Sequence, residues 1–476
     1  MKKFWKTVLC LGMSALFTLG AAGCFDKNTE DEGGDNRNTQ INVADSLVDY
    51  SVYRDTAKAK IYAWRGPTDL SDTQWQAFKD SGINTLIIDS TIDGRRGQAF
   101  GTAEQESYIR KCKEYGLKAI GFTNGNLAPS IKSYAGSDLY DTIDGINYVD
   151  EPKIDAFEGI AAVIGDFSAK YPGKTFFTCM NSSYASLQQL GGPQNYQEYI
   201  DTWYDVVLSQ LPAGMPRVMA TDVYPFHVAT NGQSAYTNET WVRTLAYMAD
   251  LKKRHNELIL HMVMQASSYG YERNTVPRRN PQDAECLLSA YVNLAFGITE
   301  FSWYTYSTPP VDDLENKEED YAMMDRDGNL TETYYAVKKA NTVINNLDEV
   351  LLSSDWQGIY PIQKNKNRDK NAFSYVQKFD NILVEIADMN TVKSFDADNN
   401  ALVGMFTDEN GNEGFLIVNY GDPTEEIDIT VTAEFIDCNK LIVYRDGLPT
   451  TIDLVGGKAE LPLSAGEGVY VIPYKA

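Results

Sequence analysis

Eight short apolar runs, separated by amphipathic stretches with helical spacing, constrain this chain more than any other feature. The runs cover residues 60–65, 85–89, 118–123, 145–150, 174–180, 217–224, 258–265 and 298–305. Between them, segments such as 71–82 and 103–116 place apolar residues on one helical face and close on Gly82 and Gly116, the residue type that best ends a helix. A strand followed by a helix cannot bury both apolar faces alone. Repeated eight times, the unit predicts an α/β fold in which a parallel sheet closes on itself, a (β/α)8 barrel spanning residues 51–350.

Past the turn-like Asp325-Arg-Asp-Gly-Asn-Leu-Thr331 and a last helical pattern through Asn346, the texture changes. Short alternating strands such as 415–420, 427–432 and 441–445 are separated by Gly, Asp, Asn and Pro, which predicts an antiparallel β-sandwich over residues 351–476.

The chain begins with a basic Met-Lys-Lys-Phe-Trp-Lys, an apolar run through Leu19 and the small residues Gly20-Ala-Ala-Gly23 before Cys24. This is the pattern of a removable export signal over residues 1–23, too short in its apolar part for a membrane span. The residues before Cys24 resemble a bacterial lipobox, with Ala21 where leucine is usual. That resemblance implies lipidation at Cys24 and a protein anchored at a membrane surface, on the cell surface or facing the periplasm. Residues 24–50 are polar and acidic without apolar periodicity, and read as a tether.

The whole chain carries a net charge of −24; without Lys2, Lys3 and Lys6 the balance is 66 acids against 39 bases, a net of −27. Such a surface repels a nucleic-acid backbone. Cys112, Cys179, Cys286 and Cys438 lie far apart in sequence and fit buried thiols better than two disulfides. Neither they nor His227, His255 and His261 form a metal-ligand pair, and no cofactor is expected.

The strongest chemical signal is Asp150-Glu151-Pro152, where proline cuts off the fourth run beside two carboxyls. Strand alternation through Asp150 would put Glu151 over the barrel mouth and leave Asp150 dependent on a local twist. Like charge and partial burial would hold a proton there, as a general acid requires; the bland alternative is a pair of acids capping the next helix. Run six ends in Asp222 and Tyr224 before Pro225. The other run ends supply Trp64, Asp89, Asn124, Asn181, Gln265, Trp303 and Tyr304. Aromatic rings with amides and carboxylates at one end of a barrel suit a sugar, whose C–H faces stack while its hydroxyls find hydrogen bonds.

These residues resemble those of bacterial glycoside hydrolases built on such barrels. Asp-Glu-Pro is similar to the Asn-Glu-Pro of the large retaining clan, which implies that Glu151 is the general acid/base. That clan has a nucleophilic glutamate where this chain has Gln265, so the resemblance implies either Asp222 as the second carboxylate or a nucleophile supplied by the substrate. The Asp150-Glu151 dyad is similar to that of family 123-type substrate-assisted hexosaminidases, which implies N-acetylhexosaminides as substrates, Asp150 orienting the 2-acetamido group and Tyr224 donating to it. Residues 144–151 also match the spacing of the family 18 acidic motif, with Asn147 and Val149 replacing two of its acids. The competing expectation is a non-catalytic surface glycan-binding protein on a degenerate barrel, to which the missing carboxylate at Gln265 points.

Overall fold

The computed structural model describes residues 58–88, 103–122, 131–228, 238–268, 277–310, 321–364, 370–446 and 448–476. The expected signal, Cys24 and the tether lie outside these residues.

Eight parallel strands form the first sheet: β1 (Lys60–Trp64), β2 (Thr85–Ile88), β3 (Lys118–Phe122), β4 (Ile143–Asn147), β5 (Thr175–Phe177, continued by Cys179–Met180), β6 (Arg217–Asp222), β7 (Leu258–Gln265) and β8 (Glu300–Tyr304). The expected runs are all present. β5 is interrupted at Thr178: its first part pairs with β4 and its second with β6. With β8 also paired to β1, every strand has two neighbours and the sheet closes into a barrel.

The helices that cover it are α1 (Asp72–Asp80), α2 (Ala103–Glu114), α3 (Phe157–Lys170), α4 (Tyr196–Val206), α5 (Asn238–Arg254), α6 (Asp283–Ala295) and α7 (Glu332–Leu352). Between β3 and β4 the described residues hold only the short 3-10 turns Ile131–Tyr134 and Tyr140–Thr142.

Side-chain alternation divides the barrel core in two. Ile61, Ala63, Met219, Leu260, Met262, Phe301 and Trp303 face outward into the layer shared with the helices. Tyr62, Trp64, Ile87, Ile120, Cys179, Val218, Ala220 and Val263 fill the interior.

The lower interior is polar. Lys60 Nζ lies 2.8 Å from Asp144 and 4.0 Å from Glu300. The Tyr62 hydroxyl donates to Glu300 at 3.1 Å, and His261 stands between Glu300 (3.4 Å) and Ser302 (2.5 Å). Asp144 reaches this network because the β3–β4 register shifts where Ala119 opposes Ile143 and Ile120 opposes Gly145. The extra residue re-aims one carboxylate inward. Gly145 follows because a Cβ there would sit 1.9 Å from the Thr175 carbonyl oxygen. Burial holds His261 below its ordinary value against the pull of Glu300. For Lys60, burial is outweighed by Glu300 and Asp144 and the ammonium is favoured.

The C-terminal part holds β9 (Ser354–Ile362), α8 (Lys370–Val376), β10 (Val392–Ala397), β11 (Ala401–Asp408), β12 (Glu413–Asn419), β13 (Ile429–Phe435), β14 (Lys440–Arg445), β15 (Leu448–Asp453), β16 (Lys458–Leu463) and β17 (Gly468–Tyr474). A six-stranded antiparallel sheet, ordered β9-β11-β12-β17-β14-β15, faces a three-stranded one, β10-β13-β16. Their facing residues, among them Val403, Phe415, Val431 and Val471, make a second core.

β12 and β17 are buried at every position, whereas β16 alternates buried and exposed. The difference is one of layers. The three-stranded sheet has one wet face, but Leu416, Val418, Tyr470 and Ile472 on the far side of the six-stranded sheet join the barrel's outer core. Gly468 permits that contact, since a Cβ there would meet the Tyr291 ring at 2.6 Å.

Candidate active site at the carboxyl end of the barrel

β4 ends at Asn147, three residues earlier than the sequence pattern suggests. Simple alternation therefore does not aim Glu151. Instead Glu151 sits in the left-handed region, at φ 47°. Such a backbone is costly for a side chain and persists only when its surroundings hold it. Here the Glu151 N–H donates to the Cys179 carbonyl at 2.8 Å. Asn181 Nδ2 donates to the Glu151 carbonyl at 3.1 Å, and the Tyr199 hydroxyl donates to the Pro152 carbonyl at 2.6 Å. Tyr196 in turn donates to the Asn181 carbonyl at 2.9 Å. Pro152 is buried while Asp150 and Glu151 are exposed, so β5 and α4 lock the turn and present both carboxyls to solvent. The helix-capping alternative fails, since α3 begins only at Phe157, after the 3-10 turn Ile154–Ala156.

Asp222 arrives from the neighbouring wall as the last residue of β6. It is only 8% exposed, and its Oδ1 has no hydrogen-bond partner among the described residues. Burial raises its carboxyl well above the usual range; the negative charges of Glu151 and then Asp150 add to the rise, and a Tyr224 hydrogen bond opposes it. The buried Cys179 thiol is raised by burial and then by Asp222, Asp150 and Glu151, so the charges of all three carboxyls reach it.

Tyr224 packs in the interior cluster, tilted against the Tyr304 ring at 5.7 Å, which in turn stands 6.3 Å from Trp64. The structure thus gathers Asp150, Glu151, Asp222, Trp64, Tyr224 and Tyr304 at one barrel end, with Asn181 as a brace.

Two expected sugar contacts are placed differently. Gln265 is buried, its Oε1 accepting from the Phe226 N–H at 3.0 Å and its Nε2 donating to the carbonyls of Phe226 (2.9 Å) and Arg279 (2.6 Å). Its amide is used up in tying two loops together. Trp303 faces outward, its indole N–H donating to Asn341 on α7 at 2.7 Å. Alternation explains it: Ser302 and Tyr304 point in, so Trp303 points out. Asp89 and Asn124 lie outside the described residues.

Sequence reasoning missed Tyr184 and Arg278. The Tyr184 hydroxyl is raised by burial and then by Asp222 and Glu151, while Ser182 and Arg278 pull it down, so the carboxylate charges reach Tyr184 and Arg278 lies within reach of its ring. The polar Asn181-Ser-Ser-Tyr184 beyond β5 was a usable signal; Arg278, deep in a long loop, had none. Cys112, Cys179, Cys286 and Cys438 are buried free thiols, as their spacing suggested. Among the described residues no three His, Cys, Asp or Glu side chains converge to hold a metal, and no helix is long and apolar enough to cross a membrane.

No family model matches the sequence, and no curated protein matches it. Solved structures of similar shape include a family 39 glycoside hydrolase from the gut symbiont Bacteroides cellulosilyticus WH2, at 13% identity and TM-score 0.45, covering 87% of this chain and 80% of that one. Alpha-galactosidase I from Mortierella vinacea aligns at 9% identity and TM-score 0.46, covering 88% and 97%. A family 27 β-L-arabinopyranosidase from Geobacillus stearothermophilus aligns at 9% identity and TM-score 0.38, covering 89% and 98%. Identities this low leave the chemistry of the site to its own residues.

Proposed function

We propose that this chain is a glycoside hydrolase whose reaction is carried by Asp222, Glu151 and Asp150. The observation that carries the reading is the unequal environment of these neighbouring carboxyls. Asp222 is buried, and burial followed by the charges of Glu151 and Asp150 favours its protonated form, while Glu151 and Asp150 face solvent. Separating an acid from its charged partners in this way is what glycosidic cleavage needs.

In this mechanism Asp222 gives its proton to the glycosidic oxygen as the C–O bond breaks. The exposed carboxylates stabilise the positive charge developing at the anomeric carbon. Water then adds to that carbon and gives its proton to the Asp222 carboxylate, which restores the starting state of the site. The sequence expectation gave the proton to Glu151; burial favours Asp222 as its holder. Tyr304, partly exposed, offers its ring to the sugar, with the buried Tyr224 and Trp64 packed behind it.

A second reading keeps Glu151 as the acid, with Asp150 orienting a 2-acetamido group that attacks from within the substrate. It is favoured by a single turn carrying both residues. A panel of 4-nitrophenyl glycosides, with and without the acetamido group, tests both. Asp222→Asn and Glu151→Gln should each lower turnover by roughly two to four orders of magnitude. Hydrolysis confined to acetamido sugars, with Glu151→Gln the worse variant, selects the second reading; full turnover by both variants overturns both.

We also propose that the mature protein is exported and lipid-anchored at Cys24, on the strength of the basic, apolar and small-residue order before it. Labelling cells with a radioactive fatty acid should mark the protein, and Cys24→Ser should abolish the label.

A further inference from the structure

Among the described residues few large apolar side chains are exposed, and three of them are tyrosines: Tyr184, Tyr321 and Tyr335. Tyr184 lies within reach of the Asp222 charge. Tyr321 and Tyr335 share a separate groove of about 720 Å³, lined also by Asn280, Pro281, Gln282 and Thr331. That volume suits a small ligand or a stretch of chain-like ligand, not a protein surface.

The groove lies between the β7–α6 and β8–α7 connections. Both leave the carboxyl ends of their strands, so it opens at the same end of the barrel as Asp222 and Glu151. Its rings stand on fixed backbone. The Tyr321 N–H donates to Ser268 Oγ at 2.9 Å and its carbonyl accepts from the Ser268 N–H at 2.9 Å, yet the residue is 45% exposed. Tyr335 is 60% exposed on the first turn of α7 and leans edge-on against Tyr334 at 5.2 Å. Thr331 Oγ1 donates to the Ala322 carbonyl at 2.6 Å, holding the segment between them. The opposite wall is tied to β7 through Gln265, which donates to the Arg279 carbonyl one residue before Asn280.

Two rigid, exposed rings beside the amides of Asn280 and Gln282 match the alternation of C–H faces and hydroxyls on a sugar chain. Asp283 and Glu332 in the lining disfavour an anionic ligand, as does the net charge of −24. We propose that this groove is a distal subsite for an uncharged glycan chain, gripping units remote from the bond at Asp222. The inference rests on the glycosidase reading for its biological sense, though not for its test.

The test is gel affinity electrophoresis of the full-length mature protein through neutral polysaccharides (xylan, α-mannan, β-glucan, galactan) and through dextran sulfate. At least one neutral polymer should retard the protein. Retardation should persist in Asp222→Asn and in the paired variant Tyr321→Phe with Tyr335→Phe, which keeps both rings. Replacing both tyrosines with alanine should abolish it, each ring contributing roughly two- to tenfold in affinity. Migration unaffected by every neutral polymer, retardation by dextran sulfate alone, or equal retardation of the alanine pair overturns the proposal. Ring-dependent retardation in a protein that cleaves no glycoside would sink the catalytic reading and leave the groove standing.

Discussion

At Glu151 the backbone turns left-handed, at φ 47°, and the carboxylate that this turn presents is exposed. Left-handed backbone costs a non-glycine residue about 1 kcal/mol or more. Glu151→Gly should therefore be more stable than Glu151→Ala by about 1 kcal/mol in urea denaturation, with both inactive. At Asp222 the strain is electrostatic. Its raised carboxyl binds a proton that the unfolded chain gives up near the ordinary carboxylate value, so its contribution to stability is complete below that value and fades as pH rises through the raised one. Asp222→Asn should accordingly gain melting temperature over the parent at neutral and alkaline pH and lose that gain in acid. The same proton dictates the rate: on the proposed mechanism, kcat should fall as pH climbs and Asp222 ionises. The sequence pointed to both residues from the prolines that follow them. It gave no hint of the left-handed turn, because hydrogen bonds from Asn181 and to Cys179, some 30 residues away, create it.

At the scale of elements, period-two alternation predicted what each strand would bury wherever the strand was regular. β6 and β7 follow it, and Asp222 and Tyr224 share a face as expected. The pattern misled at β4, where a register shift and an early end changed the phase, and at β8, where extending the reading to Trp303 overlooked its outward phase. Gln265 is the clearest case of a residue whose type was informative and whose role was not. The sequence resemblance set a nucleophile's position there, yet its amide bridges two loops. A carboxylate cannot donate to the carbonyls of Phe226 and Arg279, so Gln265→Glu should lower stability by about 1–3 kcal/mol in urea denaturation without raising turnover.

Over the whole molecule, the sequence revealed two textures, barrel and sandwich, but not that they share a core. Apolar residues on both faces of β12 and β17 could have disclosed it, since a sheet buried on both sides needs a third layer. Because α6 is covered by the six-stranded sheet, the intact protein should show one calorimetric transition. A fragment ending at residue 353 would expose that helix and should aggregate instead of accumulating as a soluble monomer.

The order of the larger sheet also bears on how the protein is made. β17 follows every other strand in the chain, yet it lies in the sheet's interior, hydrogen-bonded to β12 on one side and β14 on the other. A ribosome delivers residues in sequence, so the cover over α6 stays open until this strand emerges. Synthesis thus leaves that helix face bare, and open to wrong partners, until the last strand of the larger sheet is out.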